Sequence, residues 1–465
     1  MTTFTPAADS TDTVPADTAS RCPLLLLLGS GLAWLLVSGV FALINALQLD
    51  SASFLAGCRL LTYGHIHALA ETTFVYGWLG NAGLALSIWI LGRLGGEALR
   101  ATPWMSAGGL FWNLGVLIGV IGIAAGDATS YPLLQLPRYA QPLLLVSYGA
   151  VAISGVLAWT GRRRRVMYAA QWYAVAPLFF FPWLFSVAQV LLLWSPVRGT
   201  LQAVVQGWYA QGLWTLWAAP LALAGAYYVL PRANGKTLPA YDLAWLGFWA
   251  LLFVGGWTGG RHLIGGPVPA WIPTVAIVAA TLLLSHYLIV FLNLRGVFAG
   301  GSLAVRFIGF GLGAYFLGGI FDAITAMRVV AVATEFTYCD EAMRQLAYYG
   351  AASMILYGVL YFALPRVSGR PWASAALARG HFALAAIGLA LLVFSLAMAG
   401  VIQGRELNDA QVSFASIAAH THPWLLLATA AQALLLLGNL LLAVNFTTSA
   451  CSSCCSATSR EALAS

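Results

Sequence analysis

The stretch Trp245–Trp271, WLGFWALLFVGGWTGGRHLIGGPVPAW, decides how the chain is read. Its first half is an aromatic-rich apolar helix. It runs into Trp257-Thr-Gly-Gly-Arg261-His262-Leu263, then a Gly/Pro loop, then Pro269-Ala-Trp271. An ionisable pair placed where such a helix leaves hydrocarbon needs a reason, because a charge at mid-bilayer costs roughly 2.5–3.5 kcal/mol and less near the interface.

The chain around this stretch is 60% hydrophobic and 8% charged over 465 residues, a composition that excludes a soluble domain and specifies a polytopic membrane protein. Apolar runs long enough to cross about 30 Å of hydrocarbon fall at 22–48, 68–94, 104–125, 140–160, 168–194, 200–230, 241–263, 269–294, 303–327, 345–364, 381–403 and 421–446, twelve in all. The expected division is a disordered cytoplasmic tail over 1–20, a twelve-helix membrane domain over 21–447, and a Cys/Ser-rich cytoplasmic tail over 448–465. The first tail is polar, aperiodic and without a basic n-region, so no cleavage is expected. With the N-terminus inside, the inner side holds fifteen of the 22 Lys and Arg residues, including the block Arg162 to Arg165, and the outer side seven. That asymmetry predicts both termini in the cytoplasm. The net charge of +7 reports the same excess, and no nucleic-acid partner is expected.

Six cysteines are scattered as Cys22, Cys58, Cys339 and a Cys451, Cys454, Cys455 cluster, with no Cys-x-x-Cys-His for covalent heme. The cluster reads as a reduced tail, with a thiophilic metal or palmitate as the alternatives. Cys58 and Cys339 both fall outside, where a disulfide is permitted but not indicated. The many Trp and Tyr residues belong to interfacial belts or helix packing. Gly309, Gly313, Gly318 and Gly319 in the ninth run allow close backbone approach.

Several landmarks recur in a familiar order: Leu61-Thr-Tyr-Gly64 and Gly80-Asn81-Ala82 in the second run, Gly225-Ala-Tyr-Tyr-Val-Leu-Pro231 closing the sixth, and Pro239-Ala-Tyr241 leading to Phe248-Trp-Ala-Leu251. Gly358 to Pro365 closes the tenth run, and His381 to Gly388 with Ala399 to Gly404 spans the eleventh. In this order the set resembles the catalytic subunit (subunit I) of cbb-type cytochrome c oxidases, a branch of the heme–copper oxidase superfamily, as a divergent member. The resemblance implies an all-α fold of twelve transmembrane helices, with heme b and copper as the family's cofactors.

Heme iron and copper take neutral imidazole, and the resemblance implies where those imidazoles should stand. The low-spin heme position of the second helix falls on Ala70, and the copper position of the sixth, after Trp208-Tyr-Ala, falls on Gln211. The two adjacent histidines of the seventh fall on Arg261 and His262, and the His-x-His pair of the tenth on Met343 and Gln345. The tyrosine that cross-links to a copper ligand falls on Gly255, while Ala244 and Gly247 stand where the family keeps polar proton-path side chains. Tyr227, Tyr228 and Tyr241 remain, as part of that path or as interfacial anchors. Of six metal-binding histidines only His262 is kept. Met343 retains a sulfur that ligates heme iron elsewhere, whereas Arg261 is permanently cationic and offers no lone pair.

Four other histidines form two His-x-His pairs, His65-Ile-His67 and His420-Thr-His422, both on the outer side. On a regular helix i and i+2 diverge by about 200°. In extended backbone they converge, and four imidazoles would suit copper or zinc. The alternative is hydrogen bonding at the interface, with Asp50, Glu71, Glu406 and Asp409 in the same region. His286 and His381 read as hydrogen-bonded structural residues. Asp322 and Glu71 are intramembrane acids; the expected counter-ion of Asp322 is Arg261, the two forming a buried ion pair in the vacated copper cavity, with a proton or substrate relay as the alternative. Three functions stand open: a non-catalytic subunit of a respiratory membrane complex, working beside membrane-anchored cytochrome c subunits; an active terminal oxidase; and a metal-handling or transport protein built on the outer histidine pairs. The location expected for all three is a bacterial-type inner (plasma) membrane.

Overall fold

The computed structural model describes residues 15–163, 166–297 and 301–461. Among these are twelve helices long and apolar enough to cross a membrane, and no strand. They are α1 (Pro15–Asp50), α2 (Tyr63–Gly95), α3 (Thr102–Ala125), α4 (Gln141–Thr160), α5 (Ala169–Trp194), α6 (Leu201–Asn234), α7 (Tyr241–Leu263), α8 (Trp271–Leu294), α9 (Leu303–Thr325), α10 (Tyr338–Ser368) and α11 (Ala375–Leu407), and α12 (Phe414–Glu461). They coincide with the twelve apolar runs because a span without water must close its own backbone hydrogen bonds as helix.

Both ends of the membrane domain differ from expectation. α1 begins at Pro15, inside the stretch read as tail. Asp17 is fully buried, accepts from Trp89 Nε1 at 2.8 Å and pairs with Arg93 at 2.6 Å, which fastens the start of α1 to α2. Residues 1–14 lie outside the described residues. α12 runs on to Glu461, through most of the segment read as a second tail. The side chains of Cys451, Cys454 and Cys455 lie outside the described ones. Cys22, Cys58 and Cys339 are free thiols.

In packing order α12, α1, α3, α4, α5, α7, α8, α9 and α11 close a ring around α2, α6 and α10, which touch one another at the centre. The apolar windows of α2, α6 and α10 are 94%, 100% and 94% buried, against 39–56% for the ring, so the ring is what lipid meets. Each central helix also widens into a π-helical segment, at Thr73–Leu79, Leu213–Ala218 and Gln345–Ser353. Such segments interrupt the regular i→i−4 ladder and gather at functional sites. The largest buried indoles all find acceptors: Trp78 on Ser353, Trp89 on Asp17, Trp112 on Tyr76 and Trp217 on Tyr148. Of the α9 glycines, Gly319 lies flat against the Tyr287 ring, whereas Gly313 faces open space. Gly207 and Gly259 press backbone on backbone and seat the 3-10 turn Thr258–Leu263 against α6.

Candidate functional site

Two partly open cavities lie on either side of α10. The first, about 410 Å³, is lined by α1, α2, α10, α11 and α12. The second, about 430 Å³, is lined by α6, α7, α8, α9 and α10. Both fall in the ~300–1,000 Å³ range of small-molecule sites. The face of α10 carrying Glu341, Gln345 and Tyr349 turns to the first, and Met343 and Ala347 to the second. Residues two apart point roughly 200° apart on a helix, so one His-x-His position pair serves two chambers. Asp340, Arg344 and Tyr348 touch both chambers, as do Leu133 and Phe336. Leu133 (φ 62°) and Phe336 (φ 60°) hold left-handed backbone, which costs about 1–2 kcal/mol per residue for a side chain of this kind.

The six positions singled out from the sequence divide cleanly. Ala70 and Gln345 line the first cavity; Gln211, Arg261, His262 and Met343 line the second. Three of them are engaged in hydrogen bonds or ion pairs with neighbouring side chains. Gln345 Nε2 donates to Glu341 Oε1 at 2.7 Å. Arg261 is buried, with Nη2 2.8 Å from Asp322 Oδ1 and Nη1 donating to the Asp322 carbonyl at 3.2 Å and to Thr325 Oγ1 at 3.1 Å. His262 Nδ1 meets Glu335 Oε2 at 2.8 Å. A Cβ on Gly255 would stand 2.8 Å from Thr215 Cβ, so a tyrosine at this position has no room.

Heme and copper do not fit this donor set. The first cavity offers one imidazole, His67, stacked on Tyr63, and the second only His262. Five carboxylates (Glu71, Asp322, Glu335, Asp340, Glu341) face two guanidiniums (Arg261, Arg344) in the combined lining. The propionates of a heme would meet that acid-rich wall. Arg344 is already engaged, 2.9 Å from Glu71 and 2.8 Å from Glu341. Glu71 in turn accepts from the Leu133 amide at 3.1 Å and from Gln135, tying the 126–140 connection to α2 and α10. The polar positions of a proton path are closed as well. His286 Nδ1 donates to the Gly247 carbonyl at 2.6 Å and Ile289 Cγ2 lies 2.8 Å from where a Cβ on Gly247 would stand. His286 Nε2 lies 2.8 Å from the Tyr315 hydroxyl, so both ring nitrogens are engaged. His381 is buried beside Tyr361, 3.1 Å away.

The four histidines of the two His-x-His pairs do not gather. Both pairs sit on helix, His65 and His67 in Tyr63–Thr72 and His420 and His422 in α12, so within each pair the rings diverge. His420 pairs with Glu406 at 2.8 Å, while His422 reaches the Asp50 carbonyl at 3.2 Å. Among the described residues, one group of three or more His, Cys, Asp or Glu side chains brings its ligating atoms within 4.8 Å of one another: His262, Glu335 and Asp340. Sequence reasoning missed Glu335, in the segment before α10, and Asp340, in the first turn of α10, because both fall outside any motif; the only signal was their acidity beside an apolar run.

A closed ring of helices around three central ones, with paired chambers across one of them, defines a polytopic membrane protein built on the subunit I plan of respiratory oxidases. The family model for cytochrome c and quinol oxidase polypeptide I matches residues 23–434, and the chain belongs to that family. It is 24% identical to the cytochrome c oxidase subunit 1 of Rhodobacter capsulatus over 439 residues, covering 89% of this chain and 82% of that one. It is likewise 24% identical to the cbb3-type cytochrome c oxidase subunit CcoN1 of Stutzerimonas stutzeri, over 83% of this chain and 85% of the relative. Among solved structures, a heme-copper terminal oxidase determined as a dimer by cryo-EM superposes with a TM-score of 0.76 at 14% identity, covering 92% of this chain and 84% of the other.

Proposed function

We propose that this chain is a membrane subunit descended from oxidase subunit I that no longer reduces oxygen, and that it acts as scaffold, partner or regulator in a respiratory membrane complex. One observation carries the reading: the six ligand positions line two preserved chambers, yet five of them hold Ala, Gln, Arg, Met and Gln. The sixth, His262, is engaged by Glu335. On this reading heme b and copper are absent or reduced. The partners are the lipid bilayer and membrane-anchored cytochrome c subunits of the kind that work with the family. The basic-residue asymmetry supports a bacterial-type inner membrane with both termini in the cytoplasm.

The test is a reduced-minus-oxidised spectrum and a pyridine haemochrome assay on the purified full chain, with oxygen uptake measured on reduced cytochrome c. The expected result is no stoichiometric heme and no uptake above a protein-free control. One heme per chain, or cyanide-sensitive uptake, overturns the proposal and makes the protein a working oxidase.

A further inference from the structure

We propose that His262, Glu335 and Asp340 form a divalent-cation site of the zinc class in the wall of the second cavity, distinct in composition from any three-imidazole copper site. The three residues come from different elements: the 3-10 turn ending α7, the segment leading out of the short helix Arg328–Thr334, and the first turn of α10. Their ligating atoms lie within 4.8 Å of one another, none of the three is fully exposed, and all three line the second cavity. One imidazole nitrogen and two carboxylate oxygens are a donor set that zinc accepts, with bonds of about 2.0–2.2 Å and a remaining position for water. Harder ions such as manganese favour the oxygens but gain less from the imidazole.

The charge balance gives an independent reason for a cation here. Arg261 pairs with Asp322, and Arg344 pairs with both Glu71 and Glu341. Glu335 pairs with His262 and its side chain is only 11% exposed, while Asp340 has no ion pair within 4 Å among the described residues and feels His262, Arg261 and Arg344 only from farther away. Two neighbouring carboxylates drawn partly out of water repel one another unless a cation or a proton lies between them. A protonated imidazole supplies one positive charge against two; a divalent ion balances both. Asp340 is also held in place, its Oδ2 accepting the Phe336 amide at 2.9 Å, so one donor is pre-set before any ion arrives.

This site goes beyond the function proposed above but shares His262 with it, since a working oxidase would give that imidazole to copper. The experiment therefore reads zinc separately from heme and copper. The full chain, purified in detergent and stripped with EDTA, is titrated with Zn²⁺ alone by equilibrium dialysis and elemental analysis, and heme and copper are quantified on the same sample. The expected result is one zinc per chain. Glu335→Gln with Asp340→Asn should weaken binding by about a hundredfold or more, since even outer partners of a metal site cost 10–100-fold. His420→Ala with His422→Ala should leave it unchanged. Thermal unfolding without metal checks that the Gln/Asn protein is folded, and a zinc-dependent rise in Tm should appear in the parent alone. No zinc on the parent chain, or equal zinc affinity in the Gln/Asn protein, overturns the site. Stoichiometric heme and copper would instead sink the non-catalytic reading, whatever the zinc result.

Discussion

Neutralising Asp322 should harm the protein more than removing Asp322 and Arg261 together. The pair is largely withdrawn from solvent, with side-chain exposures of 7% for Arg261 and 17% for Asp322 across a 2.8 Å contact. In Asp322→Asn the guanidinium keeps only the residue-322 carbonyl and Thr325 Oγ1, both neutral acceptors at 3.2 and 3.1 Å. Breaking a buried pair from one side costs about 3–5 kcal/mol, because the remaining charge is left uncompensated. The partial exposure of Asp322 argues for the lower end, about 3 kcal/mol, which is roughly a 150-fold shift in the unfolding equilibrium at about 1.4 kcal/mol per tenfold. Arg261→Met with Asp322→Leu removes both charges and keeps similar volume, so its cost should stay within about 1 kcal/mol or reverse sign. The assay is unfolding in mixed micelles of increasing SDS fraction, followed by tryptophan fluorescence, with unfolding rates compared if refolding fails. Single and double variants losing the same stability, or losses that add within about 0.5 kcal/mol, would refute the argument and leave Arg261 and Asp322 as independent cavity-lining residues.

Gly259→Ala should be among the most damaging small changes, because its Cβ would run into the Gly207 carbonyl, which is backbone and cannot rotate away. Overpacking of this kind costs about 1–3 kcal/mol or more and should show as lost expression or a lower apparent Tm. The quadruple His65, His67, His420, His422 alanine variant should carry the same zinc and copper content as the parent by elemental analysis. Its stability should fall by about 1 kcal/mol at most for the exposed His420–Glu406 pair.

The twelve spans were legible because the bilayer imposes a length and an apolar composition that no other element satisfies. The family landmarks pointed to six positions, and the residues at all six line one or other of the two cavities. The rest depended on the third dimension. No pattern in the sequence of α10 says that residues 343 and 345 open onto different cavities; that follows from helix geometry together with the positions of α1, α2, α6 and α9. The polar composition of residues 15–20 reads as tail, yet Arg93, some seventy residues on, gives Asp17 a buried partner. The His-x-His pairs were ambiguous for a local reason: extended backbone would have joined the rings, and helix separates them.

Fixed charge lines the walls of both cavities. Arg261 in the second cavity and Arg344 between the two are each pinned by acids, and the acids remain in excess by five to two. An isolated buried carboxylate is costly, so an excess of this kind persists only where protons, a bound cation or an open connection to water supplies the balance. The cluster at His262, Glu335 and Asp340 lies at the end of the bundle where α7 finishes and α10 begins, and the His262 side chain there is 37% exposed. A chamber that lost its imidazoles only by drift would be expected to fill with apolar side chains, which leave no buried charge to balance. The carboxylates at 335 and 340 run against that trend, and a cation on His262 is the arrangement that gives both a reason to stay.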